Sequence, residues 1–209
     1  MLRFKLREQI VFLGIKCRKP EITTTVQNTS FPYFETERLI LNELSTEDIP
    51  LIVKNAVNPN ISQFTQNIPH PYEESDAIYW INRAHQGFKN GTNHVFAIRW
   101  KESGEFMGGI GLTLEKRFNR AEVGYWIAEP FWNKGIMTEA TKRIIQYGFA
   151  DLKLNKITSS HLVENPASGK VMRKGGMQKE GILRQQVSKT DRYYDLVVYG
   201  ILSKEFKMD

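Results

Sequence analysis

The chain has 209 residues, 41% hydrophobic and 25% charged, which provides for one sizeable globular domain with an extra segment at one end. No stretch approaches the roughly 18 uninterrupted apolar residues of a membrane span, and the single cysteine, Cys17, excludes an internal disulfide framework, so a soluble cytoplasmic protein is expected. The net charge of +6 is uneven: Arg3, Lys5, Arg7, Lys16, Arg18 and Lys19 against Glu8 and Glu21 put +4 on residues 1–30 and leave +2 for the rest, so composition requires no broad basic face for direct nucleic-acid binding.

Residues 1–31 read as a basic N-terminal extension: a basic, apolar start, a knot at Lys16–Lys19, Pro20, and the polar run Thr23 to Ser30. The extension lacks the apolar core and small-residue cleavage site of a secretory signal. An interfacial helix, a partner-binding arm and a mis-set translation start all remain open for it. Residues 32–209 form the main domain. Arg38 to Leu44 alternates like a half-buried strand, and Ser45-Thr46-Glu47-Asp48 supplies an N-cap with an acidic partner for a helix to about Val57. Ala77, Ile78, Ile81, Ala84 and Phe88 keep a helical period that Asn90-Gly91 stops.

Strands are predicted at His94 to Trp100, Phe106 to Leu114 and Ala121 to Ile127, separated by Glu102-Ser103-Gly104 and Lys116 to Arg120, which makes an antiparallel meander. Trp132 to Ala140 then joins a strand end to an amphipathic helix through a short turn. Met137, Ala140, Ile144 and Tyr147 recur at helical spacing as far as about Gly148. The helix starts near Gly135, where unpaired N–H groups and the macrodipole suit phosphate. An ordinary strand-to-helix turn is the other reading of this stretch. A strand at Lys156 to Val163, a helix opening on Asn165-Pro166, and strands at Ile182 to Ser188 and Tyr194 to Leu202 follow. The order β-α-α-β-β-β-α-β-α-β-β predicts an α+β fold with a mixed, mostly antiparallel sheet of about seven strands and helices on both faces.

Several motifs exclude themselves. Gly108-Gly109-Ile110-Gly111 lacks the third glycine of a dinucleotide fingerprint and sits inside a strand pattern. No nucleoside-triphosphate loop and no Gly-x-Ser-x-Gly elbow is present. His70, His85, His94 and His161 are scattered without a ligand spacing, so no metal is expected.

What remains is a set of segments in a fixed order: Thr36-Glu37-Arg38-Leu39-Ile40-Leu41, Gly108-Gly109-Ile110-Gly111-Leu112, Ala121 to Ile127, Trp132 to Ala140, Asn165-Pro166-Ala167-Ser168, Gly175 to Gly181 and Tyr194-Asp195-Leu196. Together, from about Phe34 onward, they resemble the GNAT superfamily of N-acetyltransferases, and within it the ribosomal-protein N-terminal acetyltransferase-like branch. The resemblance implies the GNAT fold, a strand pair splayed apart at the acetyl-CoA site, and acetyl-CoA as donor without metal. It implies that backbone N–H groups from Lys134 through Gly135, Ile136, Met137 and Thr138 bind the pyrophosphate. Trp132 and Met137 depart from the usual Gln/Arg and Gly/Ala places of that loop.

By the same resemblance the N–H near Ile127 is the oxyanion donor, and Asn165 and Ser168 lie at the cofactor. Ser168 is the candidate proton donor to the leaving sulfur, with a backbone-satisfying helix-start hydroxyl as the alternative. Glu122, the carboxylate on the cofactor-facing strand, is the candidate base through water, with an ion pair as its alternative. Tyr125 and Trp126 are expected to wall the acceptor or pantetheine channel, or else to belong to the core. The expected acceptor is the N-terminal α-amine of a protein. A small-molecule amine (polyamine, antibiotic or amino-acid-like) and a non-catalytic acyl-CoA-binding module are the alternatives, and both monomer and homodimer stay open.

Overall fold

The computed structural model describes residues 30–207; most of the basic extension lies outside the described residues. One eight-stranded sheet organises them. Its strands are β1 (Phe34–Glu35), β2 (Leu39–Glu43), β3 (Asn93–Trp100), β4 (Phe106–Glu115), β5 (Arg120–Ile127), β6 (Lys156–Leu162), β7 (Gln178–Lys189) and β8 (Arg192–Leu202). They lie in the order β1-β2-β3-β4-β5-β6-β8-β7, antiparallel throughout except for β5 against β6.

Alternation along the strands divides the apolar side chains between two faces. On one face α4 (Ile136–Ala150) and α5 (Pro166–Lys174) cover Leu39, Leu41, Phe96, Ile98 and Val123 through Ile136, Ala140, Ile144 and Met172. On the other, α1 (Ile49–Ala56) and α3 (Glu74–Lys89) pack Ile52, Ala56, Ala77, Ile81 and Ala84 against Ala97 and Phe106. Phe31, placed with the extension by sequence, packs its ring 4.7 Å from Phe88 and 4.8 Å from Phe96. Among the described residues no helix is long and apolar enough to cross a membrane.

Local chemistry accounts for most element starts. The Ser45 hydroxyl accepts from Glu47 N and the Asp48 carboxylate accepts from Ser45 N, the reciprocal cap expected from the sequence. That cap starts a short 3-10 turn, Thr46–Asp48, and the α-helix proper begins only at Ile49. Asp48 is also paired with the Arg99 guanidinium at 2.7 and 2.8 Å, which satisfies a buried carboxylate on two sides.

Three differences from the sequence reading have physical causes. The sheet has eight strands because Phe34–Glu35 pairs with Ile40 and Leu41, too short a run to carry an alternation of its own. Strand β7 starts at Gln178 rather than Ile182; it is an edge strand with mostly exposed side chains, so no apolar pattern marks its first residues. A six-residue helix, α2 (Pro59–Phe64), lies where no helix was expected, capped by the Asn58 side chain on Asn60 N.

Candidate functional site

The parallel pair β5–β6 is joined by only three residue pairs, Arg120 with Lys156, Ala121 with Ile157 and Glu122 with Thr158, before the strands part. Beyond that point the other edge of β5 stays paired to β4 as far as Ile127 opposite Gly108. Ala128 N donates to Met107 O at 2.8 Å, so alternation turns the N–H and C=O groups of Val123, Tyr125 and Ile127 toward the gap. Two of the carbonyls are capped: Ser159 Oγ donates to Val123 O at 2.8 Å, and the Trp132 indole N–H donates to Ile127 O at 2.8 Å. Left facing the gap are the backbone of Tyr125 and the N–H of Ile127. A strand edge in that state is matched by an extended ligand carrying amide groups.

At the open end of this gap lies the turn into α4. Asn133 and Gly135 take φ of 61° and 76°, and Gly135 is the N-cap. The helical ladder begins with Glu139 N donating to Gly135 O at 3.1 Å, so the N–H groups of Ile136, Met137 and Thr138 precede it as the unmatched donors of a helix start. A Cβ on Gly135 would meet only Arg38 Nη2, at 3.6 Å, so the outer face of the turn is open to a ligand. Ile136 and Met137 bury their side chains in the core, and Met137 thereby fills a place where a small residue was expected. The donors are thus presented by backbone alone.

Sequence reasoning gave no role to the residues that hold this turn. Glu139 accepts from Thr36 Oγ1 at 2.6 Å, from Arg38 N at 2.9 Å and from Arg38 Nε at 2.8 Å, while Arg38 Nη1 donates to Lys134 O at 3.0 Å. Burial pushes the Glu139 carboxyl up, but the hydrogen bonds from Thr36 and Arg38 and the guanidinium charge outweigh it and hold it below the usual glutamate value. The clamp links the loop before β2 to the first turn of α4. Its only sequence signal is the segment Thr36 to Arg38 itself, already part of the resemblance.

Across the gap, Asn165 caps α5. Its Oδ1 accepts from Ser168 N at 3.2 Å and its Nδ2 donates to Phe64 O at 3.4 Å. Ser168 Oγ donates to the Tyr125 hydroxyl at 3.2 Å, and that hydroxyl donates to Ser168 O at 3.2 Å. Burial pushes the Tyr125 phenol up to about 12, against a smaller downward pull from the Ser168 contact, so it stays protonated at any working pH.

Glu122 occupies the last paired position before the strands part, with its side chain on the sheet face opposite Tyr125. It is exposed, and Ser160 Oγ donates to it at 3.2 Å while Gln66 Nε2 donates to Ser160 Oγ at 3.4 Å. Trp126 shares that face and packs edge-on to Trp80, whose ring occupies the space a Cβ on Gly109 would need. Tyr125, Ser168 and Asn165 are therefore brought together, and Glu122 stands apart from them on the other face of the sheet.

Residues 58–66 span the open end. Asn58 and Asn60 donate to the Glu129 carboxylate just past β5, and Lys189 Nζ, from β7, donates to Ser62 O and to Thr65 O. Among the described residues no group of three or more His, Cys, Asp or Glu side chains is arranged to hold a metal ion.

Residues 38–178 match the family model described as an acetyltransferase (GNAT) domain. The chain is 31% identical over 177 residues to the uncharacterized N-acetyltransferase YoaA of Bacillus subtilis, covering 82% of this chain and 97% of that protein. It is 30% identical over 113 residues to the ribosomal-protein-serine acetyltransferase of Escherichia coli, 54% of this chain and 62% of that protein. Among solved structures, the ribosomal L7/L12 alpha-N-protein acetyltransferase RimL in complex with coenzyme A superposes with a TM-score of 0.74 at 18% identity, over 82% of this chain and 98% of its own.

Proposed function

The chain belongs to the GNAT acetyltransferase family, and we propose that it moves the acetyl group of acetyl-CoA to the N-terminal α-amine of a protein by direct attack of the amine on the thioester. The observation that carries this reading is the free edge of β5 leading to three unmatched N–H groups at the start of α4. The edge suits the amide-bearing pantetheine arm, and the helix start suits the pyrophosphate.

Within that frame Ile127 N–H faces the gap, where a donor would stabilise the oxyanion of the tetrahedral intermediate. Ser168 supplies the proton to the leaving sulfur. Glu122, held by Ser160, takes the proton of the incoming ammonium through water. Tyr125 and Trp126 flank the channel from opposite faces of β5.

The acceptor assignment is supported by relatives named as ribosomal-protein acetyltransferases and by the charge of the site. A polyamine would call for several carboxylates at one mouth, and those would raise the protonated fraction of the amine. An α-amine, with a reference pKa near 8, is substantially neutral at cellular pH, whereas a lysine amine near 10.4 is not. One candidate base matches the former. Such an acceptor also fits a cytoplasmic protein.

Competition between an unblocked peptide, its Nα-blocked lysine counterpart and spermidine, resolved by mass spectrometry, tests the reading. Acetylation of the unblocked peptide first is expected. Preference for spermidine or lysine would replace the acceptor, and an acetyl-CoA-induced rise in melting temperature with no thiol released from acetyl-CoA in the presence of any amine would indicate a binding module.

A further inference from the structure

Resting on the reading of Ser168 as proton donor, the hydrogen bonds around it raise a difficulty that the same geometry resolves. A hydroxyl has one proton to give. Ser168 spends its own on the Tyr125 oxygen, 3.2 Å away, so in this arrangement the proton meant for sulfur points into the protein. Tyr125 in turn spends its proton on Ser168 O, also at 3.2 Å. The phenolic oxygen is therefore equidistant from the carbonyl and the hydroxyl of one residue, and a turn of the phenolic O–H about its C–O bond moves its proton from one to the other while every heavy atom stays in place.

We propose that Tyr125 is the positioning residue of the leaving-group proton donor, its hydroxyl switching from Ser168 O to Ser168 Oγ and so releasing the Ser168 proton toward sulfur. The step balances. As the thioester C–S bond breaks, sulfur takes the Oγ proton and Oγ takes the phenolic proton. The phenolate recovers a proton by way of water from the acceptor nitrogen, which must lose one to become an amide. Serine alone would be left as an alkoxide, a far weaker acid's conjugate than a phenolate, so sharing the charge lowers the barrier to donation.

The surroundings make this switch specific. Asn165 Oδ1 and O both accept from Ser168 N, which fixes the donor's backbone. The ring of Tyr125 is packed against the core that α4 and α5 share, which fixes the phenol. The backbone of the same residue belongs to the free edge facing the gap, so one residue touches both the path of the cofactor arm and the proton donor.

The test compares wild type, Tyr125→Phe, Ser168→Ala and the double variant under single-turnover conditions, with whichever amine the acceptor panel shows to be acetylated. Tyr125→Phe is expected to slow acetyl transfer about 5- to 50-fold with acetyl-CoA affinity within about three-fold. The double variant should fall no further than Ser168→Ala alone, as expected of residues acting as one unit. In mixtures of light and heavy water the wild-type rate should curve with deuterium fraction, as two moving protons require, and the Tyr125→Phe rate should be linear. A Tyr125→Phe rate equal to wild type, multiplying effects in the double variant, or a linear wild-type dependence, which needs no variant to fold, would each overturn the proposal. An unaffected Ser168→Ala would instead remove the reading on which it rests, whereas an unexpected acceptor would change neither.

Discussion

The two edges of β5 make an instructive pair. Toward β4 the strand is paired at all eight positions, from Arg120 opposite Glu115 to Ile127 opposite Gly108; toward β6 the pairing stops after three. The same eight residues thus have one edge satisfied by ladder along its whole length and one left largely without a ladder. Two carbonyls of the open edge are met by side chains instead of a ladder: Val123 O by Ser159, which stands on β6 itself, and Ile127 O by the Trp132 indole. The two edges therefore differ in what meets them: a neighbouring strand in one case, two capping side chains in the other, with the backbone of Tyr125 and the N–H of Ile127 facing the gap.

The sharpest way to break this contrast is at the end of the open edge. Gly135→Val puts a β-branched residue at a φ of 76° and a side chain on the open face of the turn. The melting-temperature rise seen with millimolar acetyl-CoA should vanish, with the unliganded protein still folded and weakened by about 1–3 kcal/mol. A retained rise, read by differential scanning fluorimetry, would detach the turn from the cofactor.

The next effect comes from the clamp that fixes the turn. Glu139→Gln removes a carboxylate that accepts charge-assisted hydrogen bonds, and should cost about 1.5–3 kcal/mol at neutral pH in urea unfolding. The sign follows from linkage. The folded Glu139 value lies below the ordinary 4.5, so its stabilisation is fully present above that value and is lost as pH falls through the lower folded one. The difference between wild type and variant should therefore shrink as pH is lowered below about 4.5. A difference that stays constant to the acid limit would refute the charge-assisted clamp.

The smallest effect belongs to the closed end. Ser159→Ala strips the cap from Val123 O and should destabilise by about 1 kcal/mol in urea, with acetyl-CoA affinity by calorimetry changed less than about two-fold, since Val123 lies where the strands are still close. A loss of affinity as large as that of Gly135→Val would move the cofactor arm to the apex of the gap.

The contrast between edges also marks what sequence can convey. The helix start at Gly135 was legible because apolar spacing and a glycine are local features, whereas Ile127 was named through the family resemblance alone. The clamp from Arg38 to Glu139 joins residues separated by 101 positions, and no periodicity in either segment announces it. Likewise Tyr125 meets Ser168 across 43 positions, so the aromatic could be placed at the site while its hydroxyl's partner could not. The two Asn-Pro pairs are a closer comparison. Asn165-Pro166 was read as a helix start from its cap and the proline at the favoured first position; Asn58-Pro59 caps α2 in the same manner but was not read so, and six residues are too few for a period to emerge.

That short helix has a consequence for how the open end can change over time. Its C-terminal end is tied down through main-chain carbonyls: Lys189 donates to those of Ser62 and Thr65, and Asn165 to that of Phe64. These carbonyls lie at the negative end of the helix dipole, where a cation is well placed. Every residue type offers a carbonyl, so these anchors do not read the identity of the side chains they hold. The C-terminal half of this segment can therefore change its side chains and keep these anchors, whereas its N-terminal half, held to Glu129 through the Asn58 and Asn60 side chains, depends on which residues stand there.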